Sequence, residues 1–304
     1  MVIGTKRKKS LGTHNGIFHC DEVLGIAILM IAFMKYLITV TRTRLPELLS
    51  KLDIVIDVGG GKYDHHKEGF SEKRPTGELY ASAGLVWRDF GSQAIQNVAE
   101  EIGASISEDD VKAIQEEIDR ELIIPADQED NGKQASTHML SFVSSFLPTW
   151  MEDPAYDAAF EKVVDTVRTI LYEIIKTKIS KITAKYELPK RYERAEDGIV
   201  EIPAQTMPWL EDVVAYNEDH DNALKFVIFP YPDGGWAAQA VPPSLEQCFE
   251  QLVPFPKEWA GKNEKTLPEV SGIPDAIICH NFRFFARAKS KESIVKMCKI
   301  AMMK

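Results

Sequence analysis

Short runs of apolar residues alternate with longer, helix-like ones over the first third of the chain. The stretch Gly4–Thr13 is a strand candidate that ends at the tetrapeptide THNG. From Asp21 to Tyr36 apolar residues fall nearly all round the helical wheel, as expected of a helix buried against a sheet. LITVTRT (37–43) is β-branched and strand-like, LPELLSKL opens a short helix with proline, and DIVIDVGG (53–60) is an apolar run closed by glycine. A β-α-β-α-β order predicts a parallel sheet joined by right-handed crossovers. Polar residues directly after such strands stand at the carboxyl edge, where open α/β sheets bind ligands.

Further along, VKAIQEEIDRELIIPADQEDNGK reads as a helix followed by an acidic loop at Asn131-Gly132. Residues 154–186 keep an apolar stripe at helical spacing and predict one long helix. From about Arg194 the texture changes to strands and turns. GIVEIPA and KFVIFPYPDGGWAAQAVP predict strands, with Asp233-Gly234-Gly235 as a hairpin turn. The expected fold class is therefore α/β: a first domain over 1–194 with a parallel sheet flanked by helices and a long connecting helix, and a smaller α+β domain over 195–304.

With 304 residues, 44% of them hydrophobic, the chain can bury two modest cores. A formal net charge of −10 excludes non-specific coating of nucleic acid or anionic membrane, which requires surplus Lys and Arg. No apolar run reaches the roughly 18 residues of a membrane span, the longest being Val23–Met34. The four cysteines, Cys20, Cys248, Cys279 and Cys298, have no CxxC spacing and read as free thiols. No signal or transit peptide is evident, so an intracellular place, cytoplasmic or nuclear, is expected, and Lys6–Lys9 reads mainly as a solvated strand end.

Four of the seven histidines, His14, His19, His65 and His66, lie at predicted strand ends beside aspartates, which makes chance an inadequate account of them. Imidazoles mixed with carboxylates suit Mn²⁺, Fe²⁺ or Zn²⁺, and a bridging carboxylate between two ions about 3.5–4 Å apart is the arrangement that cleaves phosphate esters. Glycines 59, 60 and 61 would let backbone approach a phosphate. One of Asp127 and Asp130 is expected to complete the set.

Taken in order, THNGIFHCDE, DVGGGKYDHH, GELYASAGLVWRDFG, DQEDNG and VSGIPDAIICH resemble the melanocyte-proliferating-gene exonuclease family, a branch of the DHH phosphoesterases. The resemblance spans most of the chain. It implies an N-terminal DHH domain, a two-metal site usually filled by Mn²⁺ (with Mg²⁺ or Zn²⁺ as alternatives), and 3′–5′ exonuclease activity in RNA processing. Carried over by position, it makes His14, His19, Asp21, Asp57 and His65 metal ligands, with either Asp127 or Asp130. Asp64 would orient His65, and His66 would face the substrate phosphate. Trp236, Gln239 and His280 match the family's C-terminal domain. After His280 the family has a glycine-rich segment, whereas this chain reads NFRFFARAKS, so either Arg283, Arg287 and Lys289 substitute cations for backbone amides or substrate contact there is altered or lost. The expected partner is single-stranded RNA or a short oligonucleotide, with an exposed sheet edge offering a homodimer contact and no membrane association. The alternatives are a small-molecule phosphatase acting on pyrophosphate or dinucleotides, and a non-catalytic metal-binding regulatory protein.

Overall fold

A computed structural model describes residues 7–133 and 138–304. Residues 4–6 of the first strand candidate, and Lys6 of the basic cluster, lie outside them. The chain divides into two compact units, residues 1–179 and 180–304.

The first unit begins with the expected alternation. Strands β1 (Lys8–Thr13), β2 (Leu37–Arg42) and β3 (Ile54–Val55) form a parallel sheet in the order β2-β1-β3, with helices α1 (Cys20–Ala32) and α2 (Pro46–Leu49) as crossovers. Leu11 of β1 pairs with Val40 on one side and Ile54 on the other, which fixes the register around a fully buried residue. Helix α1 is shorter than its apolar run suggests: it ends at Ala32, and residues 33–35 form a turn. Twelve of its thirteen residues are buried, which explains why the stripe wraps the wheel. Strand β3 shrinks to two residues because the chain turns sharply at Asp57, whose φ of 59° lies in the left-handed region that Asp tolerates better than most residues.

Helix α3 (Ser82–Glu101) packs against α1. After α4 (Glu108–Ile118) comes a five-residue π turn, Asp119–Ile123, leading directly into α5 (Ile124–Asp130). Pro125 stands at the start of α5, where its missing N–H and its ring are tolerated because the wider turn relieves the ordinary hydrogen-bond ladder. Asp127 and Asp130 therefore lie on a helix, not in the acidic loop read from their composition. Helix α6 (His138–Ser144) follows, and α7 (Tyr156–Tyr192) begins close to the expected point but runs further.

In the second unit, β4 (Ile199–Glu201), β5 (Phe226–Pro230), β6 (Trp236–Ala240), β7 (Ala276–Cys279) and β8 (Phe285–Ala288) form a mixed sheet in the order β4-β5-β6-β8-β7. The hairpin between β5 and β6 turns at Asp233-Gly234-Gly235, as its sequence predicts. Helices α8 (Leu210–Asp219), α9 (Leu267–Ser271) and α10 (Lys291–Met302) complete this unit. One sheet face buries Phe226, Ile228, Ala238 and Ala286 with Trp259 and Met297. The other buries Val227, Phe229 and Ala237 with Leu188 and Trp209. Among the described residues no helix is long and apolar enough to cross a membrane, and all four cysteines are free.

Candidate metal centre

Three strand ends supply the site. His14 follows β1, Arg42 and Arg44 stand at the end of β2, and Asp57 follows β3. The first turn of α1 brings Asp21 and Glu22 to the same edge. Both carboxylates are buried, at 1% and 0% exposure, and each has a backbone reason to be there. Glu22 accepts the His19 N–H with both oxygens, at 3.0 Å each, capping α1. Asp21 caps a different helix. Ala81 at the start of α3 has no side-chain acceptor, and Asp21 supplies one by accepting Ser82 N–H at 3.0 Å and Ala83 N–H at 2.7 Å. Gly84 N–H, the next donor, is taken by Asp127 at 3.0 Å. The positive end of α3 thus holds two buried carboxylates that would otherwise be expensive to desolvate.

Around them the imidazoles are held by acceptors on both sides. His14 Nε2 lies 3.0 Å from Glu22 Oε1 and 3.3 Å from Asp57 Oδ2, while its Nδ1 lies 3.2 Å from Asn15 O. His65 Nε2 meets Asp130 Oδ2 at 2.7 Å, and its Nδ1 meets Ser82 Oγ at 3.0 Å. The Ser82 hydroxyl donates to Asp57 Oδ1 at 3.1 Å, so it accepts from His65. Both rings therefore face acceptors on two sides, an arrangement that favours the protonated form. Burial works against the charge on His14, but hydrogen bonds to Asp57 and Glu22 outweigh it and raise the ring to about 10. In His65, burial is likewise overcome, chiefly by Asp130, and its pKa rises. Burial first, then the neighbouring Asp57, Asp130 and Asp127, lifts Asp21 well above the ordinary carboxylate range.

Such crowding of buried acid calls for cations. Three donor sets have ligand atoms within 4.8 Å of one another: Asp21, His65 and Asp130; Asp57, His65 and His66; and His14, His19 and Glu22. His65 belongs to two of them. Nitrogen and carboxylate donors in these numbers fit divalent ions of the Mn²⁺ or Zn²⁺ type. They face a cleft of about 730 Å³ whose lining includes His14, His19, Asp57, Asp130, His66 and Arg44.

Placement separates several residues that look equivalent in sequence. Asp130 lines the cleft and bonds His65, and that contact leads the forces that lower its pKa against the effect of burial. Asp127 is fully buried, three residues earlier, with Oδ2 2.7 Å from Arg74 Nη1; burial nonetheless raises its carboxyl to about 6. Arg74 also forks onto Asp119 in the π turn, with two bonds of 2.8 Å. Asp64 accepts Gly60 N–H at 2.7 Å and His66 N–H at 2.9 Å, so it shapes the loop, while Ser82 and Asp130 hold the His65 ring. Gly60 N–H is consequently committed inside the loop, whereas Gly59 lines the cleft. The His66 side chain is 61% exposed and His19 is 60% exposed, both available to a ligand entering the cleft.

In the second unit, Arg287 pairs with Asp233, donates to Gly234 O at 3.0 Å and lies 3.7 Å from the Tyr231 ring centre; it braces the hairpin. Arg283 donates to Phe255 O at 3.1 Å. His280 accepts Phe282 N–H through Nδ1 at 3.2 Å. Arg287 is thus committed to the hairpin, while Arg283 gives one N–H to a carbonyl and has no carboxylate partner among the described residues.

Sequence reading missed Glu22, Ser82, Arg74 and Arg44. Glu22 sits three residues after His19, a spacing that signals a helix cap. Arg44 lines the cleft, is exposed, and among the described residues has no carboxylate partner.

A family model described as Uncharacterised protein family (UPF0160), short name MYG1_exonuc, matches residues 10–302. MYG1 exonuclease of Rattus norvegicus is 31% identical over 321 aligned positions, covering 95% of this chain and 83% of the relative. Its Homo sapiens counterpart is 30% identical, covering 95% and 84%. Among solved structures, exonuclease RecJ bound to manganese overlaps with a TM-score of 0.29 at 15% identity, over 79% of each chain.

Proposed function

This chain belongs to the MYG1 exonuclease family, and we propose that it is a metal-dependent phosphodiester hydrolase acting as a 3′–5′ exonuclease on single-stranded RNA. The observation that carries the hydrolase reading is the sharing of His65 between two clustered donor sets on one cleft. Asp21, Asp57, His14, His65 and Asp130 would hold two divalent ions, Mn²⁺ for preference, with His19 and Glu22 beside them. When bound, such a pair supplies Lewis-acid activation of the phosphate and a water nucleophile at neutral pH.

The chain's own residues do the rest. The α3 N-terminus keeps Asp21 oriented through Ser82 and Ala83. Ser82 links Asp57 to His65, so the ring cannot turn without breaking that chain. His66, exposed at the cleft with its ring centre 3.9 Å from that of His65 and tilted 37° to it, is placed to donate to a substrate phosphate oxygen. Arg44 is the one Lys or Arg among the cleft's lining residues and would take a neighbouring phosphate. With one such side chain and a net charge of −10, short single strands suit this surface better than duplex. Catalysis is assigned to the N-terminal domain and a substrate-holding role, centred on His280, to the C-terminal one.

The test is release of mononucleotides from 3′-labelled and 5′-labelled RNA with Mn²⁺, Mg²⁺ or EDTA, beside a pyrophosphate control. Stepwise Mn²⁺-dependent shortening from the 3′ end is expected, and loss of it in His65→Ala with the fold retained. Turnover of pyrophosphate or dinucleotides alone would overturn the substrate. Full activity in His65→Ala would overturn the site.

A further inference from the structure

One wall of the metal cleft continues into a second groove. Ser144 and Leu147 line the cleft beside the metal-ligand candidates, and Leu147 also lines a groove of about 600 Å³ with Phe146, Thr149 and Lys162, and with Glu152 and Asp153 on the side of the following turn. The Lys162 ammonium lies 5.7 Å from the Phe146 ring centre, and among the described residues it makes no ion pair. Directly after Thr149 the chain forms a closed turn. Thr149 N–H donates to Glu152 Oε2 at 2.7 Å, and Glu152 N–H returns to Thr149 O at 3.0 Å. The two residues at its tip, Trp150 and Met151, are 91% and 74% exposed.

An indole presented on a two-way hydrogen-bonded turn offers a flat apolar face with a polar edge to a partner. The surroundings narrow what that is. The groove opens from the cleft that would hold the scissile phosphate, it carries one uncommitted cation, and its ring surface is flat and unspecific. Glu152 and Asp153 flank the indole, so a neutral face suits that tip and a phosphate suits Lys162. Stacked bases joined by phosphates have this alternation of chemistry, and aromatic side chains with a nearby cation are how single strands are bound irrespective of sequence.

We propose that the surface from the metal cleft over Leu147 to Lys162 and Trp150 is the track for the strand behind its scissile end, with a base stacked on Trp150 and a phosphate held by Lys162. This rests on the phosphodiester-hydrolase reading above and extends it to the nucleotides that are not being cleaved.

Fluorescence anisotropy of labelled single-stranded RNA of two, four and eight nucleotides, with Mn²⁺ present and phosphorothioate linkages to slow turnover, tests the track directly. Wild-type affinity should rise with length. Trp150→Ala should lose about tenfold of the eight-nucleotide affinity and little of the dinucleotide's, as a stacking contact predicts. Trp150→Phe should recover part of it, which a merely structural role for the residue would not produce. Lys162→Gln should weaken the eight-nucleotide complex and flatten its salt dependence by about one phosphate contact. Equal eight-nucleotide affinity in wild type and Trp150→Ala, or no binding by wild type at any length, would overturn the track. So would a change from dimer to monomer in Trp150→Ala, which would make a second copy the occupant. Hydrolysis of bis(p-nitrophenyl) phosphate with Mn²⁺ is read separately: its absence in wild type sinks the hydrolase reading, while the anisotropy comparison still decides the track.

Discussion

Replacing Gly84 with alanine sets helix propensity against a buried ion pair. At the third residue of α3, in its first turn, alanine is intrinsically favoured over glycine by up to about 1 kcal/mol. The added methyl, however, would stand inside the contact radius of Asp127 Oδ2, 2.8 Å from Asp127 Cγ and 2.7 Å from Arg74 Nη2. Asp127 is fully buried and Arg74 is 4% exposed, so neither has an open direction in which to yield. Gly84 N–H also supplies one of Asp127's hydrogen bonds. Disrupting a buried pair costs about 3–5 kcal/mol, which leaves a net destabilisation of about 2–4 kcal/mol. Thermal unfolding followed by circular dichroism should show the midpoint lowered by about 5–15 °C. Asp130 lies one turn beyond Asp127, so Mn²⁺ affinity measured by calorimetry should fall as well. Gly61→Ala, where nothing lies within 4 Å of the new methyl, is the control and should stay within about 0.5 kcal/mol of wild type. A Gly84→Ala protein as stable as wild type, or more so, would refute the claim that Asp127 and Arg74 are locked.

The two aspartates of α5 should separate by phenotype. Asp130→Asn should lose Mn²⁺ binding with little change in unfolding temperature, whereas Asp127→Asn should lower that temperature first, by leaving Arg74 with one carboxylate partner; the opposite pattern would exchange their roles. The pH response should have two opposite signs. His14 is raised from 6.5 to about 10 in the metal-free protein, so its stabilising contribution is complete below pH 6.5 and fades as pH climbs towards 10. Metal needs the neutral ring, so Mn²⁺ affinity should tighten with pH between 6 and 9, by about tenfold per unit for each proton released. Calorimetry in two buffers of different ionisation heat counts those protons, and a count of zero at pH 7 would remove His14 from the ligand set.

Much of the first unit was legible because its signals are local. Period and β-branching announce β2, glycine closes the run after β3, and residues at strand ends gather at the carboxyl edge without further information. The harder part lies in long-range hydrogen bonds. Nothing near Asp21 in sequence indicates that it caps a helix beginning 61 residues later. Asp127 and Asp130 are the same residue type three positions apart, and only the approach of Arg74 distinguishes the bracing carboxylate from the one in the cleft. Arg287 reads as a free cation because its acceptors, Asp233 and Gly234 O, come from another part of the chain. Helical identity at 124–130 was hidden by Pro125 and the acidic run, both of which look like loop chemistry until the preceding π turn is seen.

That π turn also makes the centre sensitive to counting. Each residue of an α-helix advances the azimuth by about 100°, and a π turn accommodates one extra residue without lengthening the rod by a full step. Deleting a single position between 119 and 123 would let the segment close into regular α-helix with Asp127 still on Arg74 and Asp130 still on His65. Deleting one past the turn, between 124 and 126, would instead rotate both aspartates off their partners by that angle, although neither had been altered. For this stretch of the chain, the number of residues is as much a determinant of the site as their identity.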